Sequence, residues 1–233
     1  MKRSPLKRII NTNGTSDETL FIPSLHPYTI QQSMLLSRSF YTRSDVTLIA
    51  RELLGKYLCT SIDGLVTCGM ICETEAYAGV TDRASHAFGG RRTPRTETMF
   101  REGGTAYIYL CYGIHSLFNV VTNRAEIPHA VLIRGIVPAE GTKIMLRRIG
   151  SKTLSENSGT GPGRVARLLG IHYSFSGLDL IESFGDPRHA VWIEDRGILV
   201  DPGQIQTGPR IGVGYAGEDA LLPYRFVFHG KGL

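Results

Sequence analysis

Two glutamates, Glu73 and Glu75, stand two positions apart at the end of an apolar run, in the segment MICETEAYAG at residues 70–79. On a β-strand, residues two apart point to the same face. A carboxylate held in a cleft can activate water as a general base, and a like-charged neighbour assists by raising the pKa of one member of the pair. The alternative is a strand that leaves the core with both carboxylates in water.

Aromatic and basic side chains follow within the next 40 residues. Tyr107 and Tyr109 share a predicted strand face, where a core position is the simplest interpretation, whereas Tyr112 falls at the tip of a predicted hairpin. An exposed ring at a hairpin tip suits insertion between stacked bases. His86 lies within RASHAFGGRRTPR, and residues 83–101 hold five arginines against one acid. That composition suits contact with phosphates.

The segment GTGPGRVARLLG, residues 159–170, opens a predicted helix with glycines and carries Arg164 and Arg167. It lacks the GK[ST] ending of a nucleotide-binding loop. Backbone N–H groups at the start of a helix can hold a phosphate. A tight turn before an ordinary helix is an equally good interpretation.

Composition limits the class of protein. The chain has 233 residues, of which 42% are hydrophobic, so it can bury a substantial core. Its formal net charge of +5 favours anionic partners such as nucleic acid. The four cysteines form no CxxC pair and have no histidine at metal-ligand spacing, so we expect thiols, a reducing compartment and no metal. No apolar stretch approaches the ~20 residues of a membrane span, and we expect no membrane partner.

The elements that must position these residues follow from apolar periodicity and turn residues. Ser44 or Asp45 is predicted to cap a helix, and Asp63-Gly64 predicts a hairpin whose second strand ends near Glu75. Residues 78–99 are predicted to form a long loop, and a loop of that length in a compact domain is usually either functional or disordered. Further strands are predicted within 105–122, 130–138, 190–195 and 223–230, and helices within 140–149 and 163–169.

We therefore predict an α+β fold with one curved, mainly antiparallel sheet flanked by helices. Residues 38–233 are predicted to form a single domain. Residues 1–37 mix basic, polar and proline-containing stretches without periodicity, and we expect this N-terminal tail to be poorly ordered at least in part.

Taken in order, these segments resemble the alkyladenine DNA glycosylases, also called 3-methyladenine or methylpurine DNA glycosylases. The resemblance covers roughly residues 37–230. The motifs that carry it are ETEAY at 73–77, DRASHAFGGRRTPR at 82–95, GGTAYIYLCYGIHSLFNV at 103–120, VLIRGIVPAEG at 131–141, GPGR at 161–164 and RIGVGYAGE at 210–218.

The resemblance implies a monofunctional enzyme that flips a damaged purine out of the duplex and hydrolyses its N-glycosidic bond, with no cofactor and no lyase activity. It implies Glu75 as the general base, with Arg134 and the backbone carbonyl of Ile211 holding the attacking water. The flipped base would be enclosed by Tyr77, His86 and Tyr109, above Asn119, which would screen against the exocyclic amine of guanine.

The resemblance also implies that the hairpin enters the DNA minor groove, with Tyr112 filling the vacated stack. The residues implied in DNA binding are Tyr112, Ile114, His115, Arg91, Arg95, Met99 and Arg164. Two of them depart from the family pattern: His115 stands where another aromatic residue is frequent, and Arg164 where a lysine is common. The expected partner is double-stranded DNA with damaged purines. We expect an intracellular monomer, in the cytoplasm or nucleoid of a bacterium or the nucleus of a eukaryote.

Three other interpretations are open at this point. A binder of distorted DNA could use the same hairpin with a catalytically silent pocket. A metal-dependent nuclease could use Glu73, Glu75 and Asp82. A helix-hairpin-helix glycosylase is suggested by residues 159–170 alone.

Overall fold

The structure, a computed structural model, describes residues 34–155, 157–186 and 188–229. The predicted N-terminal tail lies outside the described residues as far as residue 33. Leu35 forms an antiparallel β-bridge with Glu194, and the backbone N–H of Leu36 donates to the backbone carbonyl of Ile193.

Four α-helices and eight β-strands make up the described chain. The helices are α1 (Arg38–Tyr41), α2 (Val46–Glu52), α3 (Thr142–Ile149) and α4 (Pro162–Leu169). The strands are β1 (Tyr57–Ile62), β2 (Leu65–Tyr77), β3 (Ala106–Cys111), β4 (His115–Thr122), β5 (His129–Glu140), β6 (His189–Glu194), β7 (Ile205–Gly208) and β8 (Arg225–Phe228). Short 3-10 segments cover Gly79–Thr81, Phe88–Gly90, Glu97–Phe100, Tyr173–Phe175, Pro202–Gln204 and Gly214–Leu221.

All eight strands join one antiparallel sheet, in the order β3-β4-β5-β2-β1-β6, with β8 pairing both β2 and β7. The predicted α+β class and the single antiparallel sheet flanked by helices are confirmed. The sheet depends on β2, which borders β1 along its first half and β8 along its second half, with β5 on its other edge. None of the helices within the described ranges is long and apolar enough to cross a bilayer.

Local sequence signals explain the turns that the sheet needs. Asp45 caps α2, because its carboxylate accepts from the backbone N–H groups of Thr47 and Leu48. Asp63 and Gly64, at φ 51° and 74°, close the β1–β2 hairpin with the positive φ values of a tight two-residue turn. The hairpin sets residues 59 and 68 directly opposite each other, and these two cysteines form a disulfide. The expectation that they are thiols was therefore wrong.

The sheet has two different faces. Alternating residues of β3–β5 pack into the largest apolar cluster, together with Ile49 of α2, Met145 of α3 and Leu168 of α4. Their neighbours in the strands, such as Tyr107, face the opposite side and contact a smaller cluster with Met99. We call the first side the helix face and the second the loop face, because residues 78–101 cover it.

Irregular pairing decides which face Glu75 occupies. Thr67 and Ile71 of β2 lie on the helix face, but so do Thr74 and Ala76, so the alternation shifts by one residue between them. The register between β2 and β5 shifts at the same place, on both sides of Glu73. A one-residue slip moves every later side chain to the other face. The bulge therefore turns the end of β2 so that its glutamates lie on the loop face.

Candidate active site

The loop face of the sheet holds a cavity of about 260 Å³. Its walls come from β2–β5, from residues 84–86 in the long loop after β2, and from residues 211–215. Eight of the site residues predicted from the sequence line it: Tyr77, His86, Met99, Tyr109, Tyr112, Asn119, Arg134 and Ile211. Residues far apart in the chain thus converge on one space.

The carboxylate of Glu75 is fully buried directly behind three of these lining residues. Its Oε1 accepts a hydrogen bond from the backbone N–H of Ile211 at 2.7 Å and lies 3.4 Å from Nε of Arg134. Its Oε2 accepts from the hydroxyl of Tyr77 at 2.8 Å. Burial raises the pKa of Glu75, whereas Arg134 and the two hydrogen bonds act to lower it. A carboxylate with a raised pKa is suited to take a proton from water.

Glu73 lies on the same face but has a different set of neighbours. Its Oε1 accepts from Nε of Arg225 at 2.6 Å and from Nε of Arg134 at 3.1 Å. One nitrogen of Arg134, Nε, is therefore close to both carboxylates. The two like charges of ETEAY are compatible because they share a cation, and Glu73 holds that cation next to Glu75.

An aromatic wall closes one side of the cavity. The rings of His86 and Tyr109 meet edge to face at 4.6 Å between centroids, and Nδ1 of His86 is 2.8 Å from the hydroxyl of Tyr107. The guanidinium of Arg95 lies 5.0 Å above the ring of Tyr109. Burial, with the nearby Arg95 and Arg91, lowers the pKa of His86 to about 4, so its ring is neutral at pH 7.

Asn119 on β4 contributes an amide to the cavity wall. Its Nδ2 donates to the backbone carbonyls of Tyr107, at 3.1 Å, and Leu117, at 3.3 Å. Both amide protons are committed to the strand, so Oδ1 is the polar atom that remains for a ligand. An amine on the ligand would therefore meet the acceptor Oδ1 of Asn119. Exclusion of a larger base at this position would depend on the space that the Asn119 side chain occupies.

The β3–β4 hairpin projects its tip into solvent. Tyr112 is 92% exposed and Ile114 is 73% exposed, and His115, which pairs with Cys111 at the hairpin end, is also exposed. Tyr112 adopts φ 52°, a left-handed conformation that is rare for a bulky side chain. Tyr112 also lines the rim of the cavity, so the exposed ring and the partners of Glu75 share one space.

The basic residues divide into paired and unpaired groups. Arg92 is bound to Glu97 and Glu126. No ion pair within the described ranges involves Arg91, Arg95 or Arg164, and all three are exposed.

Two of the predicted DNA-binding residues, Arg164 and Met99, have different surroundings from each other: Arg164 is on the surface and Met99 is buried. Arg164 follows Gly163, which packs so closely on the ring of His115 that an added Cβ would lie 3.2 Å from it. Met99 is 2% exposed and packs in the apolar cluster at the base of the cavity, so it is not on the surface with the other predicted DNA-binding residues.

Sequence reasoning missed the buried pair of Arg210 and Asp82. Nη1 and Nη2 of Arg210 donate to Oδ2 and Oδ1 of Asp82 at 2.5 and 2.8 Å. This carboxylate is therefore paired with Arg210 instead of joining Glu73 and Glu75 at a metal. Within the described ranges, no three His, Cys, Asp or Glu side chains are grouped so that they could hold a metal ion.

Comparison with known proteins matches residues 39–232 to the family model described as methylpurine-DNA glycosylase. A similar protein from Chlamydia abortus is 43% identical over 198 residues, covering 84% of this chain and 100% of the relative. One from Bacillus cytotoxicus is 43% identical over 194 residues, covering 81% and 93%. One from Clostridium perfringens is 38% identical over 200 residues, covering 83% and 95%. All three carry the name "Putative 3-methyladenine DNA glycosylase".

The raised pKa of Glu75 predicts that the substitution Glu75→Gln stabilises the protein at high pH. Below the pKa of the unfolded carboxyl, both states are protonated and the two proteins should be equally stable. As pH rises, the unfolded state ionises first, so wild type loses stability relative to the neutral variant until the folded carboxyl also ionises.

Thermal unfolding between pH 4 and pH 8 measures this difference. The thermal midpoint of Glu75→Gln should exceed that of wild type by an amount that grows with pH. Glu218→Gln, at an exposed carboxylate, is the matched control and should leave the unfolding curve unchanged. A midpoint of Glu75→Gln below that of wild type at pH 8 would show that the folded state favours the charged form.

Proposed function

The chain belongs to the methylpurine-DNA glycosylase family and is therefore a DNA glycosylase, and we propose that it is monofunctional and releases purines of the 3-methyladenine type from duplex DNA. The damaged nucleotide would flip into the cavity, where water activated by Glu75 hydrolyses its N-glycosidic bond. One observation carries this proposal: Tyr112 lines the rim of the same cavity that is lined by three contact partners of Glu75.

Base flipping explains why the cavity has aromatic walls. A base cannot be cleaved from inside an intact stack, and its extrusion costs about a few kcal/mol, less at a damaged site. Stacking on an aromatic ring returns about 1–3 kcal/mol per base. Tyr77, His86 and Tyr109 would supply these rings. A cationic alkylated purine gains a further attraction to their π faces.

The protonation states of the wall favour a lesion that already carries a positive charge. Burial lowers the pKa of His86 to about 4 and raises the pKa of Tyr107 to about 12, so both are uncharged at pH 7. A neutral His86 does not repel a cationic base. Neither group is an acid of suitable strength for a neutral leaving base, so hypoxanthine should be released more slowly than an alkylated purine.

Glu75 has the contacts that a general base needs. Each of its oxygens accepts one hydrogen bond from the protein and has a second lone pair for water. As the base departs with the electron pair of the N-glycosidic bond, the sugar gains oxocarbenium character that the ionised carboxylate stabilises. The water oxygen bonds to the sugar carbon and its proton passes to Glu75, while Arg134 and the carbonyl of Ile211 hold the water.

Absence of lyase activity is part of the proposal. A lyase needs an amine that attacks the sugar to form a Schiff base. None of the side chains from the described ranges that line the cavity is a lysine.

The hairpin tip and its flanks suit the DNA minor groove. An apolar wedge inserted between base steps unstacks them and bends the duplex. Tyr112 and Ile114 form such an exposed wedge, and the unpaired Arg91, Arg95 and Arg164 would contact phosphates on either side. His115 lies beside the wedge and would contact the same strand. Met99 would not contact DNA, and its packing would support the floor of the cavity.

Base release from methylated duplex tests the proposed function. Wild type should liberate 3-methyladenine, identified by chromatography of free bases. Glu75→Gln should reduce single-turnover release by a factor of at least about 10² while it retains lesion binding, because the neutral amide cannot take the proton from water. Glu218→Gln is the control. Failure of wild type to release any base would leave only a binder of distorted DNA, and normal release by the Glu75→Gln variant would remove Glu75 as the base.

Tyr112→Ser tests the wedge. The ring is almost fully exposed, so its loss should change the free energy of unfolding by less than about 0.5 kcal/mol. Affinity for a lesion duplex should nevertheless fall by about 5- to 150-fold, the equivalent of one base–aromatic stacking contact. Tyr173→Ser, at a half-exposed tyrosine that does not line the cavity, is the control. Lesion affinity equal to wild type would exclude insertion of this ring.

Asn119→Ser tests the selection of the base. The shorter side chain opens space beside Tyr107 and Leu117, so methylated guanines should be released faster relative to 3-methyladenine. Chromatography of all bases released from methylated duplex measures the ratio. Thr74→Ser, a buried polar change on the helix face, is the control. An unchanged ratio would mean that guanine is excluded by another part of the cavity.

A further inference from the structure

Arg210 and Asp82 form an ion pair that lies behind the cavity without lining it. Arg210 is 5% exposed and Asp82 is 2% exposed. In addition to both carboxylate oxygens of Asp82, the guanidinium binds the backbone carbonyls of Ala76 at 2.9 Å and Asp219 at 3.1 Å. One cation therefore has four acceptors in three separate segments.

The pair fixes the segments that surround the end of β2. Asp82 also accepts from the backbone N–H groups of Ala78, at 3.0 Å, and Ala84, at 2.9 Å, which holds the start of the long loop. The guanidinium of Arg210 lies 4.8 Å above the ring of Tyr77. The path of the chain on both sides of the cavity entrance thus depends on one ion pair.

Both hydrogen-bond donors to Glu75 are direct neighbours of this pair. The backbone N–H that reaches Oε1 belongs to Ile211, the residue after Arg210. The hydroxyl that reaches Oε2 belongs to Tyr77, whose ring Arg210 covers. A shift of Arg210 would move both donors together.

Stability alone does not account for the pair. Two charges taken out of water recover little net free energy, and apolar residues of similar volume are frequently as stable. A planar guanidinium that binds a carboxylate through two parallel hydrogen bonds does fix orientation, which a lysine cannot do equally well. The property that this pair supplies is therefore position.

We propose that Arg210 and Asp82 are positioning residues for the general base, because they hold the amide of Ile211 and the hydroxyl of Tyr77 on the two oxygens of Glu75. The inference rests on the proposed function, in which Glu75 activates water. Arg210 itself does not line the cavity and would not reach the substrate.

Loss of either donor should change the titration of Glu75. The effect of burial, which raises the pKa of Glu75, would then be opposed mainly by Arg134. The pKa of Glu75 should therefore rise, and a smaller fraction of Glu75 should be ionised at a given pH. The titratable and charged groups around it are Arg134 of β5, Glu73 and Tyr77 of β2, Arg225 of β8, and Arg210 and Tyr215 from the segments beside the cavity.

Single-turnover release of 3-methyladenine by Asp82→Asn and Arg210→Lys, measured from pH 5 to pH 9, tests the proposal. Asp82→Asn keeps the shape of the side chain, and Arg210→Lys keeps the charge without the planar fork. Each variant should release base about 10- to 100-fold more slowly, as expected for a misplacement of about 1 Å. The acid limb of the rate profile should move to higher pH for Arg210→Lys, which conserves the charges around Glu75. The double variant should be no slower than the slower single variant, because both changes break one unit.

Arg196→Lys is the matched control. Arg196 forms ion pairs with Glu194 and Glu140 and lies 4.2 Å above the ring of Tyr57, away from the cavity. Its variant should keep the rate and the acid limb of wild type. All rates are compared below the thermal midpoint of the least stable variant.

Three results would overturn the inference. Rates and acid limbs equal to wild type would show that the pair does not position Glu75. A slower rate at every pH with an unmoved acid limb would show a general structural effect. Losses that multiply in the double variant would show that the two residues act separately. If wild type itself releases no base, the proposed function fails first and the inference fails with it.

Discussion

The buried carboxylate of Glu75 is the constraint on which the rest of the molecule depends. Taking an ionised group out of water costs about several kcal/mol even after relaxation, and charges and hydrogen bonds nearby must offset that cost. Here the offset comes from Arg134 on β5, the hydroxyl of Tyr77 on β2 and the backbone N–H of Ile211. These groups belong to distant parts of the chain, so the ionised form of the buried carboxylate is stabilised in the folded protein only when the whole sheet and its covering loops are assembled.

The irregular pairing of β2 with β5 makes this assembly possible. In regular strands, residues that begin on the helix face would continue there, and Glu75 would point into the apolar cluster. The register shifts beside Glu73 reverse the alternation in both strands: Ile133 and Ile136 of β5 both lie on the helix face, with Arg134 between them on the loop face. Such bulges occur frequently beside active sites, where they redirect side chains. Glu73 then binds the same Nε of Arg134 that lies next to Glu75.

Features determined by local interactions could be predicted from the sequence, and features determined by long-range contacts could not. The helix cap, predicted at Ser44 or Asp45 and found at Asp45, and the predicted Asp63-Gly64 turn each depend on a few neighbouring residues. The same turn also sets residues 59 and 68 opposite each other, so their disulfide follows from the hairpin register and not from a CxxC spacing. Arg210 and Asp82 are 128 positions apart, and no spacing rule connects them. The amide of Ile211 carries no signal in sequence, because every residue except proline has such a donor.

The charges around Glu75 determine how the proposed reaction could be accelerated. The carboxylates of residues 73, 75 and 82 pair with the guanidiniums of residues 134, 210 and 225. With all six side chains ionised, the net charge of this cluster is close to zero. When a cationic purine departs, positive charge passes from the base to the sugar and the total charge in the cavity does not change. The barrier can therefore be lowered only if the protein stabilises the positive charge better at its transition-state position than at its ground-state position. Placement of Glu75 close to the sugar would provide such a difference, and aromatic walls that held the cationic base too tightly would oppose it.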